Sequence, residues 1–268
     1  MTIHRDRDDV ARLGVERGEG AFGLDDAGAL DGAGTLRGTA PRNDIQGTDG
    51  DDVIRGTSDY DRIYAGAGND EVIGEAGFDT IFGGDGRDVV LGGLGADEIH
   101  GDAGSDLLRG GKGTDLVVGG DGADVIFGGK GEDVLVGGDG ADLVQGGQNS
   151  DELIGGGGAD RLQAGRGWDS LFGGAGDDVL NAGGGNDVIF GGRGADVYVY
   201  SRGHDRVYGF ERRQGDKVDM RHVDWADSFE DLEPYLTVDL EQAMIKYGED
   251  EFVLYGAVRR LDADDFLF

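Results

Sequence analysis

Aspartate recurs at every ninth residue along most of this chain: Asp52, Asp61, Asp70, Asp79, Asp88, Asp97, Asp106, Asp115, Asp124, Asp133, Asp142, Asp151, Asp160, Asp169, Asp178, Asp187, Asp196 and Asp205. Three uninterrupted copies at 119–145 read GGDGADVIF, GGKGEDVLV and GGDGADLVQ. Each has glycine at its first, second and fourth places, aspartate at its sixth and an aliphatic residue at its eighth. If copies two apart stack at the spacing of β-strands, their carboxylates lie about 4.8 Å from one another. Such neighbours repel by about 1 kcal/mol even in bulk water, and by several times more where the effective dielectric is lower. The column therefore calls for a counter-ion. Carboxylates together with bare glycine carbonyls, with no His or Cys supplied, make a site for a hard cation taking roughly six to eight oxygens. Calcium suits that donor set better than magnesium or a transition metal. The plainer reading is a set of solvated turn aspartates, which turns favour on their own; eighteen in register weigh against it.

The repeats that position these carboxylates run without insertion from GTDGDDVIR at 47–55 to YSRGHDRVY at 200–208, eighteen in all. A weaker copy, GTAPRNDIQ at 38–46, keeps the phase with Asn43 in the aspartate's place, and GAFGLDDAG at 20–28 is a fainter echo. A fixed period over such a length means a solenoid in which each unit packs only on its neighbours. Helix is excluded, because up to three glycines in nine residues cost about 1 kcal/mol each relative to Ala. The three residues after each aspartate read as a short strand with its middle residue inward. The six before it read as a glycine-permitted turn. Two nonapeptides then complete one coil, and odd and even repeats build two facing parallel sheets.

These phrases match GGxGxDxUx, and the chain resembles the RTX (repeats-in-toxin, hemolysin-type calcium-binding) family. Nine of the eighteen copies fit strictly, apart from Tyr198 at one inward place. The resemblance implies an all-β fold, a right-handed parallel β-roll, with a calcium ion between turns i and i+2 on each edge. Its ligands would be the eighteen aspartates named above with nearby main-chain carbonyls. Two columns of nine turns offer sixteen such gaps. Asp59 and Asn149 stand where the fourth-place glycine belongs, which makes their turns irregular.

Composition sets further bounds. Fifty-six acidic residues against 24 Lys and Arg leave a formal charge of −32, which repels nucleic acid and anionic membranes and suits cations. With 57 Gly, 2 Pro and no Cys, the chain is neither collagen nor a disulfide scaffold. The first twenty residues contain no apolar core of a cleavable signal peptide, and no stretch nears the roughly 18 apolar residues of a membrane span. A metal-free roll with one inward aliphatic residue per nonapeptide is expected to be poorly stable, so that calcium binding is coupled to folding.

Three domains are expected: an N-terminal arm over 1–37, the roll over 38–208 and a cap over 209–268. The segment VYGFERRQGDKVDMRHVD resembles the one that closes RTX rolls in serralysin-type secreted proteases, although Gly209 replaces the usual acid before Phe210. A short helix is predicted near Ser228–Glu233, with strands at TVDLE, AMIKYG and EFVLYGA. The ending LDADDFLF, with Asp265 before three apolar residues, resembles the export signal read by type I secretion machinery; it also suits a terminal cap strand. The location implied is extracellular, without a cleavable leader.

No HExxH, GxSxG or P-loop motif is present, and His4, His100, His204 and His222 are scattered, so a non-enzymatic protein is expected. Its role is read as structural, adhesive or export-linked; the alternative is an accessory subunit or detached module of a secreted RTX protease, lipase or alginate-modifying enzyme. Finally, the outward columns Tyr64 to Tyr208 and Val53 to Val197 flank the odd-turn edge, and fifteen of their eighteen positions are apolar. Such a stripe predicts a contact surface for the cap, the arm, a protein partner or a second copy.

Overall fold

The eighth place of each repeat forms a single buried column that begins at Ile45, Ile54, Ile63 and Val72, ends at Ile189, Tyr198 and Val207, and excludes water throughout. A computed structural model describes residues 29–30, 35–38, 43–239, 241–256 and 261–268. The echo at 20–28 and most of the N-terminal arm lie outside them. Among the described residues no helix is long and apolar enough to cross a membrane.

Strands two repeats apart pair in parallel with a shift of eighteen residues. Val125–Lys130 takes Leu107–Lys112 on one side and Leu143–Gln148 on the other, with Ile126 opposite Leu108 and Val144. Leu116–Asp121 pairs in the same way with Glu98–Ala103 and Val134–Asp139 in the second sheet. Odd and even repeats thus build a parallel β-roll. The weaker copy keeps this register, since Ile45 in Asn43–Gln46 faces Ile63. Pairing reaches back to Leu36–Arg37, where Leu36 faces Ile54.

The strands differ from the sequence expectation in length. Instead of three residues most of them run for six, from the seventh place through the third place of the next repeat, as in Val125–Lys130 and Val134–Asp139. The turn shrinks to places four to six. Glycines carry no strand propensity, yet identical backbones stacked above one another complete the ladder whatever their side chains. The missing Cβ at the first place matters for another reason. A Cβ on Gly119 would lie 2.3 Å from Asp124 Oδ2 and 2.5 Å from the Gly137 carbonyl oxygen.

Beyond the repeats each sheet gains strands from the cap. Asp250–Gly256 pairs in parallel with Arg202–Phe210 and continues through an antiparallel partner, Gln242–Tyr247, to Leu236–Val238. In the other sheet Lys217–Asp219 follows Val197–Val199, and Phe266–Leu267 follows Lys217–Asp219. The predicted helix is a single turn, Phe229–Leu232, whose N-cap hydroxyl on Ser228 accepts from the Asp231 N–H. Asp265 is buried, closes a capping box with Asp262 and pairs with the Arg212 guanidinium, which also reaches Asp262 at 2.9 Å. The chain's last residues therefore form a cap strand.

The cap does not cover the odd-turn edge as one sequence reading had it; it seats on the end of the roll. There it extends a ladder of stacked rings. Phe172, Phe190 and Tyr208 follow one another at 5.1 Å, and Tyr255 of the cap joins Tyr208 at 4.9 Å. A second ladder of Tyr64, Phe82 and His100 stands near the other end.

Candidate metal sites along the turn edges

The turn around Asp124 represents the interior ones. Its N–H donates to Asp142 Oδ1 at 2.8 Å, and its own Oδ1 accepts from the Asp106 N–H at 2.8 Å. Its carbonyl accepts from the Leu143 N–H. Each aspartate is thereby clamped to the coils before and after it. The other carboxylate oxygen, Oδ2, is buried and has no partner. The same holds for fifteen aspartates, Asp70 through Asp196 in steps of nine. Buried polar atoms in a folded protein are almost always satisfied, and each exception calls for an explanation such as an absent ion.

The turn supplies further oxygens. The Gly122 N–H donates to the Asp139 carbonyl at 2.7 Å, while the fourth-place carbonyl of the coil below, Gly104 O, points at Gly122 closely enough that a Cβ there would sit 1.3 Å away. In the interior repeats none of the turn hydrogen bonds ends on that carbonyl. Among the described residues no point gathers three or more His, Cys, Asp or Glu side chains. A cation would therefore draw on carboxylate and peptide oxygens together. That all-oxygen set fits calcium.

Burial drives these carboxyl groups upward. Asp79, Asp106, Asp115, Asp151 and Asp178 rise to about 7, and Asp142, Asp169 and Asp196 to about 6. The N–H of the preceding aspartate opposes the rise, whereas neighbouring carboxylates in the column add to it. An unfolded aspartate keeps its ordinary value of 3.8, so the metal-free fold binds more protons than the unfolded chain between the two. Its stability is then fully present below about pH 4 and declines as pH rises through about 6 to 7. In excess chelator, acidifying the chain from about pH 8 to about pH 5 should raise its β signal in far-UV circular dichroism. A flat or falling signal would contradict this ionisation pattern.

All eighteen aspartates singled out in the sequence stand in two columns, the odd one from Asp52 to Asp196 and the even one from Asp61 to Asp205. Asn149, at an irregular fourth place, adopts the left-handed conformation of the glycine it replaces, with φ 77°, and Asp151 beside it keeps an open Oδ2. Sequence reasoning missed Asp216. It continues the odd column by accepting the Asp196 N–H on Oδ1 at 3.1 Å, but after a step of twenty residues, so a search for period nine passes over it. The GDK of the closing segment was its only signal.

The profile described as "RTX calcium-binding nonapeptide repeat (4 copies)" matches seven overlapping windows, 46–81, 73–108, 82–117, 109–144, 118–153, 145–180 and 173–207. No curated protein matches the chain. Among solved structures, the extracellular lipase LipA from Serratia marcescens is similar at 18% identity and a TM-score of 0.26, over 88% of this chain and 42% of that one. The chain thus spans less than half the length of that lipase structure.

Proposed function

The chain belongs to the family of RTX calcium-binding nonapeptide repeats, and from that premise we propose that it is an extracellular, calcium-dependent structural module whose side-chain ligands are the aspartates at the sixth place. RTX nonapeptide repeats bind Ca²⁺ at multiple sites, and a roll of them is a non-catalytic body. The observation that carries the reading is the double column of fifteen buried carboxylate oxygens without partners. Bound calcium supplies positive charge and a demand for several oxygen ligands.

The protein's own groups do the rest. The backbone clamp between successive aspartates fixes each carboxylate, the first-place glycines leave room for it, and the fourth-place carbonyls bring neutral oxygens to the same edge. A chain that folds only where calcium is plentiful stays extended in a calcium-poor cytosol and folds outside. That logic supports export by type I secretion machinery, with LDADDFLF as the segment it reads. The resulting roll serves as a rigid structural or adhesive body.

Isothermal titration of the purified chain tests the proposal. Calcium is expected to bind at many sites with affinities in the range of about 0.1–1 mM typical of extracellular modules. Magnesium holds its water more tightly and demands octahedral geometry, so it should give little heat. Equal responses to both ions, or none to calcium at about 10 mM, well above that range, would sink it.

A further inference from the structure

The end turns of the two columns differ from the fifteen between them. Asp52 Oδ2 accepts the Thr48 N–H at 2.6 Å and the Thr48 hydroxyl at 2.9 Å. Asp61 Oδ2 is held in the same way by Thr57, at 2.6 and 3.0 Å. At the far end Asp205 Oδ2 accepts the Ser201 hydroxyl at 2.7 Å, and Asp216 Oδ2 accepts the Glu211 N–H at 2.8 Å. Thr48, Thr57 and Ser201 all occupy the second place of their repeats. In every repeat from 65 to 199 the second-place residue instead has positive φ: thirteen glycines between 95° and 121°, with Glu75 at 80° and Asp102 at 71°. Those fifteen repeats are the ones whose aspartate keeps an open Oδ2.

The coincidence has a cause in backbone geometry. Rotation about the N–Cα bond of the second residue swings the rest of the turn, and the aspartate with it, relative to that residue's N–H. At Thr48 and Thr57, which lack positive φ, the N–H meets the carboxylate, and at Ser201 the hydroxyl does; where φ is positive neither contact forms. Glu75 and Asp102 show that the sign of φ decides and not the identity of glycine, because Asp79 and Asp106 remain open. A β-branched threonine resists positive φ more than almost any residue, and its hydroxyl adds a second donor.

We propose that the second-place residue selects which turns take calcium, so that the roll holds fifteen ions, one per open Oδ2, while the Thr48, Thr57, Ser201 and Asp216 turns are metal-free end seals. This rests on the calcium reading above. It replaces the sixteen gaps counted from the repeats by a set that reaches the gap between Asp196 and Asp216 and leaves out the first gap of each column. The first-place geometry supports that direction. The space beside Gly119 is shared by Asp124 Oδ2 and the Gly137 carbonyl of the following coil. Beside Gly191 the corresponding space is shared by Asp196 Oδ2 and the Tyr198 hydroxyl. That hydroxyl is buried and stands beside the Asp216 carboxylate across the same gap.

Native mass spectrometry of the full chain, folded in calcium and freed of loose ions, counts what is held. The wild type should carry fifteen. The double variant T48G/T57G should carry two more, one in each column, and T48V/T57V should match the wild type because its backbone N–H groups still seal the turns. A wild-type count of sixteen or more, or no gain in the glycine variant, overturns the proposal. If the glycine variant does not fold, the wild-type count alone decides. No ion on any of the three chains would overturn the calcium reading itself.

Discussion

Stripped of calcium at neutral pH, the repeat body is expected to lose its β structure and become sensitive to protease along its whole length. The reason is the cost of the two aspartate columns set against a thin core. Each nonapeptide buries one inward apolar side chain, from Ile54 to Val207, a thin core for nine ordered residues. Fifteen carboxylate oxygens are buried without partners beside like charges. Calcium reverses the sign of that interaction. At ten times its dissociation constant each bound ion adds about 1.4 kcal/mol, so fifteen add about 20 kcal/mol, more than the whole stability of an ordinary domain at about 5–15 kcal/mol. A chelator titration followed by circular dichroism should therefore show near-complete, cooperative and reversible loss of the roll. A chain that stays β-rich in excess chelator at pH 7 would show that the core and the cap suffice.

The second large effect is expected from a single methyl group. Gly122 has φ +134°, and a Cβ there would lie 1.3 Å from the Gly104 carbonyl oxygen. In Gly122→Ala the positive φ alone costs about 1–2 kcal/mol. The overlap is with backbone held in register on both sides, so the coil must separate from its neighbour to relieve it. The total should exceed about 4 kcal/mol, the exceptional end of single substitutions. Because each repeat packs only on its neighbours, the damage divides the roll into two weaker blocks and moves the calcium midpoint of folding upward. Gly184→Ala is the matched control. It stands at the third place of its repeat with nothing within 4 Å of the added atom, and should shift stability by less than about 0.5 kcal/mol. Similar midpoints for the two variants would mean that the coils are not stacked as closely as described.

Much of this arrangement can be read from the letters, and what cannot has physical reasons. The inward column and the two aspartate columns follow from the period alone, because a solenoid repeats its environment as faithfully as its sequence. The length of the strands does not. Gly129 reads as a turn residue, yet it pairs with Gly111 and Gly147 because the coils above and below present the same backbone. Asp216 escapes because a step of twenty replaces eighteen once. The significance of Thr48 and Thr57 is equally hidden, since a hydroxyl residue in a turn is unremarkable until its N–H is seen 2.6 Å from a carboxylate. The apolar stripe beside the odd turns is correctly placed by alternation, but alternation says nothing about what meets it, and the cap went to the end of the stack.

That placement of the cap has a consequence for growth. A stack of identical coils is a one-dimensional lattice, and its last rung offers any arriving chain the same donors and acceptors that each interior rung offers its successor. Parallel ladders with such open ends are templates for fibres. Here one sheet turns antiparallel after Asp250–Gly256 and ends in Leu236–Val238, and the other ends in Phe266–Leu267, only two residues long. Neither outermost strand repeats the nonapeptide register. The cap breaks translational symmetry at this end of the stack, at the point where the lattice would otherwise propagate.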